Sequence, residues 1–179
     1  MRLFWHLQLL SLVALGAAPA YAQGPPPPIH GFNGTIATEA TVKAEHKAAH
    51  KIAVETADGV EHVYDEAKGV VRHGRNGPLS DLAPGTTVVV HYTADNSAQE
   101  IDQVGPGGLS TTEGIVTKID RGKKSITIRY DNHKIETLKL TDRAAADVGK
   151  NIEPDTRIVV YYSEQGGGKV THYFKKSKG

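Results

Sequence analysis

Two apolar runs set the pattern of the chain. Leu82-Ala83-Pro84-Gly85-Thr86-Thr87-Val88-Val89-Val90-His91-Tyr92 returns 70 positions later as Ile152-Glu153-Pro154-Asp155-Thr156-Arg157-Ile158-Val159-Val160-Tyr161-Tyr162. In each, an aliphatic residue, Pro and Thr precede a β-branched run that ends in Tyr. This is a Pro-initiated turn feeding a buried strand, and a duplicated strand implies a duplicated unit. Val88 to Val90 and Ile158 to Val160 are assigned wholly to the cores of the two units.

The alternation around these runs fills in the rest. Ile36, Ala40, Val42 and Ala44 alternate with Glu39, Thr41, Lys43 and Glu45, the period of a half-buried strand. Residues 51–56 form a second strand, Asp58-Gly59 a hairpin turn, and residues 61–65 a third strand. Residues 69–81, punctuated by Gly74 and Asn76-Gly77-Pro78, read as irregular. Residues 86–93 and 98–104 are strands four and five. Beyond the linker Gly105-Pro106-Gly107-Gly108 the order repeats, with strands over 114–120, 125–130, 134–140, 156–162 and 169–174. A short helix is predicted over 141–148, capped by Thr141 and ended by Gly149.

The pattern predicts an all-β protein: two tandem, small, five-stranded OB-like barrels with a short helix in the second. An SH3-like barrel is the alternative, because the first unit shows no helix. The expected divisions are a signal peptide over 1–22, a Pro-rich linker over 23–31, barrel units over 32–104 and 112–175 joined by 105–111, and a basic tail over 176–179. Units this small have thin cores, so the two are expected to touch. Strands of about seven residues are too short for a membrane barrel, which needs roughly 9–11.

The leading Gly-x-Ile/Val strand ending in Asp, then Ile-Thr-Ile, Asp-Asn, Pro-Asp-Thr-Arg-Ile-Val-Val-Tyr-Tyr and a Gly-rich turn, resembles the small secreted bacterial barrel domains of unknown function. These occur singly or in tandem behind a signal peptide. The resemblance covers residues 114–174 well and 34–104 more loosely. It implies the fold and export, and it brings no active-site residue with it.

Composition narrows the function. Arg2, an apolar core over 7–15 and Ala20-Tyr21-Ala22 predict a secretory signal cleaved after Ala22, placing the protein in the periplasm or outside the cell. The remaining chain has equal numbers of basic and acidic residues, which argues against a nucleic-acid binder. The halves differ: residues 24–105 carry 6 basic against 11 acidic residues, and residues 106–179 carry 14 against 9. Opposite charge favours docking of the halves on each other, or on a second copy as a homo-oligomer. With no cysteine, and Met1 the only methionine, soft sulfur sites for Cu(I) are ruled out.

Candidate chemistry is sparse. The first hairpin of unit one is six residues longer than that of unit two, and the insertion falls in residues 43–51. His46 and His50 approach each other whether the insertion is helix or hairpin, and with Glu45 nearby they form a candidate Zn²⁺ or Cu²⁺ site. Arg121, Lys123, Lys124 and Arg129 form a candidate contact for an anion or an acidic polymer. Arg72-His73-Gly74-Arg75-Asn76-Gly77 is a basic Gly-containing loop without the spacing of a phosphate cradle. Asn33-Gly34-Thr35 is a glycosylation sequon. No Gly-x-Ser-x-Gly, His-Glu-x-x-His or cysteine nucleophile is present. Ser80, Asp81 and His91 are too common a trio to define a triad. His91 stands where the second copy has Tyr161, a position at which the copies differ. The sequence therefore predicts a non-enzymatic exported binding or interaction module, with a periplasmic divalent-metal protein using the histidine arm as the alternative. Its partner is expected to be a periplasmic protein or small ligand.

Overall fold

The structure, a computed structural model, describes residues 35–74, 77–78, 81–120, 122–147 and 152–177. The expected signal, the Pro-rich segment, the sequon's Asn33, Ser80, Arg121 and Gly149 lie outside the described residues.

The first unit contains β1 (Thr35–His46), β2 (Lys51–Thr56), β3 (Glu61–Gly74), the two-residue β4 (Gly77–Pro78), β5 (Thr87–Thr93) and β6 (Ser97–Gln103). β1 pairs with β2 and β5, β2 with β3, and β5 with β6. A parallel β3–β6 pairing closes the ring. The second unit repeats this with β7 (Ser110–Asp120), β8 (Ser125–Arg129), β9 (Ile135–Leu140), β10 (Arg157–Gln165) and β11 (Gly168–Lys176). β9 and β11 are its parallel pair. Each ring joins its own strands in the order 1-2-3-5-4, the OB arrangement. A helix, α1 (Asp142–Asp147), lies between the third and fourth strands of the second barrel. Thr141 Oγ1 accepts a hydrogen bond from Ala144 N at 3.1 Å, which caps α1.

Each barrel has its own core. Val42, Ile52, Val54, Tyr64, Val88, Val90 and Ile101 fill the first, and Val116, Ile126, Ile128, Leu138, Ile158, Val160 and Phe174 fill the second. A third cluster joins them: Val89, Leu109 and Tyr161 are buried, with Ala37, Val104, Val159 and Tyr173 packed against them. The units touch, as their size demands. This corrects the assignment of the repeated strand. Val88 and Val90 enter the first core, but Val89, on the opposite face of β5, enters the contact between barrels. Val159 does the same on β10. Side chains alternate, so a run that is apolar throughout must be covered on both faces.

The other correction is β3. Its expected end at Asp65 is an interruption. The strand continues to Gly74 through a register shift between Glu66 and Val71 in its pairing with β6. Gly69, at φ +81°, supplies the turn in the backbone that a bulge of this kind needs. Glycine here bends the strand without ending it. The Gly105–Leu109 linker is equally ordered. Gly105 N donates to Leu109 O at 2.8 Å and Leu109 N to Gln103 O at 2.6 Å, which seats the Leu109 side chain between the barrels.

Candidate metal centre between the barrels

On β6, Ile101 points into the first core while its neighbours Glu100 and Asp102 point the other way, toward the second barrel. The continued β3 sets His73 beside Asp102 in register, and His73 Nδ1 lies 2.7 Å from Asp102 Oδ1. From the second barrel comes His172. Tyr161 pairs with Tyr173 and Tyr162 with Thr171, so His172 is the extra residue of a bulge in β11. A bulge re-aims the side chain it carries, and this one delivers a buried histidine to the acidic strand. Arg143 of α1 reaches Glu100 Oε2 through Nε at 2.6 Å. His91, also buried, stands behind the group with Nε2 3.8 Å from Asp102 Oδ2.

The electrostatics follow from burial and charge together. Burial alone would raise Glu100. The contacts with His172, His91, Arg143 and His73 outweigh it and hold the carboxyl down at about 2. Burial alone would lower His172, but its contacts with Asp102 and Glu100 lift it to about 9. His91 is lowered by burial, against the pull of the two carboxylates. Without metal, His172 is therefore an imidazolium set between two carboxylates.

That arrangement leaves atoms unsatisfied. Asp102 has no exposed surface, and its Oδ2 has no hydrogen-bond partner; nor does His172 Nδ1. The two face each other at 3.4 Å without hydrogen-bond geometry. A buried polar atom without a partner costs about 1–3 kcal/mol. A metal ion would satisfy both.

The donor set fits one. Ligand atoms of His73, Glu100, Asp102 and His172 all lie within 4.8 Å of one another. Four of the separations are 2.7 Å (His73 to Asp102), 3.3 Å (His73 to Glu100), 3.4 Å (His172 to Asp102) and 3.8 Å (His172 to Glu100). Tetrahedral bonds of about 2.0 Å put ligand atoms roughly 3.3 Å apart. Two imidazoles and two carboxylates suit Zn²⁺ or Cu²⁺. The outer contacts suit it too. Ser163 Oγ lies 2.9 Å from His172 Nε2 and accepts from Gln165 Nε2 at 3.0 Å, orienting the ring so that Nδ1 faces the carboxylates.

The residues singled out from sequence lie elsewhere. His46 and His50 flank a three-residue 3-10 turn, Lys47–Ala49, and both are exposed. The cross-strand partner of His46 is Lys51, and His50 takes a left-handed conformation at φ 50°. The Glu45 carboxylate is nearly enclosed, accepting from Arg72 Nη1 at 2.7 Å and Leu82 N at 3.0 Å. In the second barrel, Lys123 N donates to Asp120 Oδ1 at 3.0 Å and Lys124 Nζ to Asp142 Oδ1 at 2.6 Å. Arg129 lies at the far end of β8, about 16 Å from Lys124 along the strand. Sequence reasoning marked His91 and placed His73 in a loop, but missed Glu100, Asp102 and His172 as a group.

No family model matches the chain, and neither does any curated protein sequence. Among solved structures, apo-CusF residues 6–88 from Escherichia coli is 19% identical, with a TM-score of 0.34 over 39% of this chain and 88% of that one. An Ag(I)-bound CusF is 18% identical, with a TM-score of 0.33 over 38% of this chain and 97% of that one. Drosophila Unr CSD456 is 12% identical, with a TM-score of 0.33 over 80% of this chain and 62% of that one. Among the described residues, no helix is long and apolar enough to cross a membrane.

Proposed function

We propose that the protein is an exported, non-enzymatic module that binds one divalent metal ion, Zn²⁺ or Cu²⁺, between its two barrels. The observation that carries the proposal is the convergence of His73, Glu100, Asp102 and His172, with buried Asp102 Oδ2 and His172 Nδ1 left without hydrogen-bond partners. Histidines bind metal when neutral, so the ion takes the place of the His172 proton and releases it. The chain offers no cysteine and no methionine beyond Met1, so a thiolate or thioether set of the kind that selects Cu(I) is not available. Export rests on the signal pattern of the first 22 residues.

Isothermal titration of the metal-free protein with Zn²⁺ and with Cu²⁺ tests this. One ion per chain at micromolar or tighter affinity is expected, with loss in the His73→Ala/His172→Ala double variant. Absence of binding refutes the proposal, as does unchanged binding in that variant. The His46→Ala/His50→Ala variant is the control. Loss of binding there instead would assign the ion to the hairpin arm.

A further inference from the structure

The proposed centre is closed on one side and open on the other. Asp102 is completely buried, whereas the His73 side chain is 45% exposed. His73, Glu100 and His172 form part of the wall of a cleft of about 720 Å³ between the barrels. A single ion needs nothing of that size, and small-molecule sites run about 300–1,000 Å³. Arg143 and Tyr162 also line it, with Ser163 behind His172. Arg143 spends its Nε on Glu100, and among the described residues its terminal amino groups have no hydrogen-bond partner. One third of its side chain remains exposed.

The charges next to the ion single out the same residue. A divalent ion on two neutral imidazoles is balanced by the Glu100 and Asp102 carboxylates. Arg143 is then the cation of the cleft wall nearest the ion, with the acids Glu164 and Asp142 also on that wall and Asp142 paired with Lys124. A guanidinium edge beside an incompletely enclosed ion matches two oxygens of one anion, because the planar fork binds such groups in a bidentate way.

Resting on the metal reading above, we propose that the loaded centre takes a small oxyanion in the inter-barrel cleft, one oxygen on the ion and another on the terminal amino groups of Arg143. The ligand class is a small carboxylate or phosphate, so the protein holds a metal–anion pair and not a bare ion. Arg143 is the residue that selects it.

The test uses the full chain loaded with Co²⁺, whose visible absorption reports the groups around the ion. Acetate and phosphate are titrated separately, which separates the carboxylate source from the phosphate source. A saturable spectral change with at least one of them is expected. Arg143 also bonds Glu100, so the variants are compared at saturating Co²⁺: Arg143→Met should bind the anion at least tenfold more weakly, and Arg143→Lys should recover part of the loss. Bound Co²⁺ whose spectrum responds to neither anion overturns the inference and leaves the metal reading standing. An Arg143→Met protein that responds like wild type also overturns it. Failure of Co²⁺, Zn²⁺ and Cu²⁺ to bind at all overturns the metal reading, and this inference with it.

Discussion

Arg72→Met tests how the first barrel holds its half of the site. Arg72 sits just past the bulge in β3. Nη1 bonds Glu45 Oε1 at 2.7 Å and Nη2 bonds Glu66, tying the strand to the end of β1. The Glu45 and Glu66 side chains are only 7% and 8% exposed. Methionine keeps most of the aliphatic stem and removes the charge, leaving two buried carboxylates without that partner. Breaking a buried pair in this way costs about 3–5 kcal/mol, a large part of the roughly 5–15 kcal/mol that stabilises a typical domain. Urea denaturation at pH 7 should show that loss. The pH dependence identifies its origin. Burial raises Glu45, but the Leu82 N–H, Arg72 and the Lys47 charge outweigh it, so its carboxyl lies below its ordinary value of 4.5. A lowered acid contributes stability above its unfolded value and loses it as pH falls through the folded one. The wild type therefore loses this contribution below pH 4.5, and the gap to the variant narrows there. Because His73 is the next residue, metal affinity should also fall by roughly tenfold or more, as when a supporting contact is lost. A deficit under 1 kcal/mol at pH 7, or one that stays constant to pH 3.5, would refute the reasoning.

Three further outcomes are expected. Gly108→Ala places a Cβ 2.0 Å from Gln103 O, so the linker must shift; about 1–3 kcal/mol of destabilisation should follow in thermal melts, and unchanged stability would contradict the crowding. Leu109→Ala removes an interface side chain that is 3% exposed, costing about 2–5 kcal/mol; the barrels should separate, seen as a larger radius of gyration in solution scattering, and an unchanged radius would contradict the role of Leu109. In chelator, the wild type should lose up to about 3 kcal/mol as pH rises from 6.5 through 9, where His172 gives up the proton held by Asp102 and Glu100. His73, His91 and Arg143 also face this group, so His172→Gln is the reference: its stability should be flat over the same range, and an equal slope there would refute the assignment.

The fold was largely legible because its signals are local. Period-two alternation, Asp58-Gly59 and the Thr141 cap each specify structure over a few residues, and Val88–Val90 and Ile158–Val160 mark equivalent strands of the two rings. The site was not legible, because its parts are local only in pairs. Glu100 and Asp102 flank the core residue Ile101, the pattern of any strand with a solvated face. What buries them is a second barrel whose placement no single-strand pattern encodes. His73 was lost by taking Gly69 and Gly74 as strand breakers, when Gly69 marks a bulge. His172 was lost because a bulge changes which face a residue occupies, and nothing in Lys169–Phe174 announces one. The difference between His91 and Tyr161 was the one signal available, and both residues are buried, His91 beside the acidic pair and Tyr161 in the inter-barrel cluster.

The charge asymmetry between the halves has a physical role at the same place. Glu39 pairs with Lys175, Glu100 with Arg143, and Asp102 with His172. In each pair the acid comes from the first barrel and the base from the second. The registers of the two rings show where the faces differ. His91 opposite Glu100 on β5–β6 corresponds to Tyr161 opposite Tyr173 on β10–β11, and two positions further on Asp102 corresponds to Lys175. Identical copies would place like charges at corresponding positions of the contact. Acid on the first barrel and base on the second make the two faces complementary and bond the barrels within one chain. Of the three bases, only the histidine is a side chain that exchanges its proton for a metal ion. Under the proposed function, the pair that joins the barrels through His172 is therefore the one whose strength a metal would set.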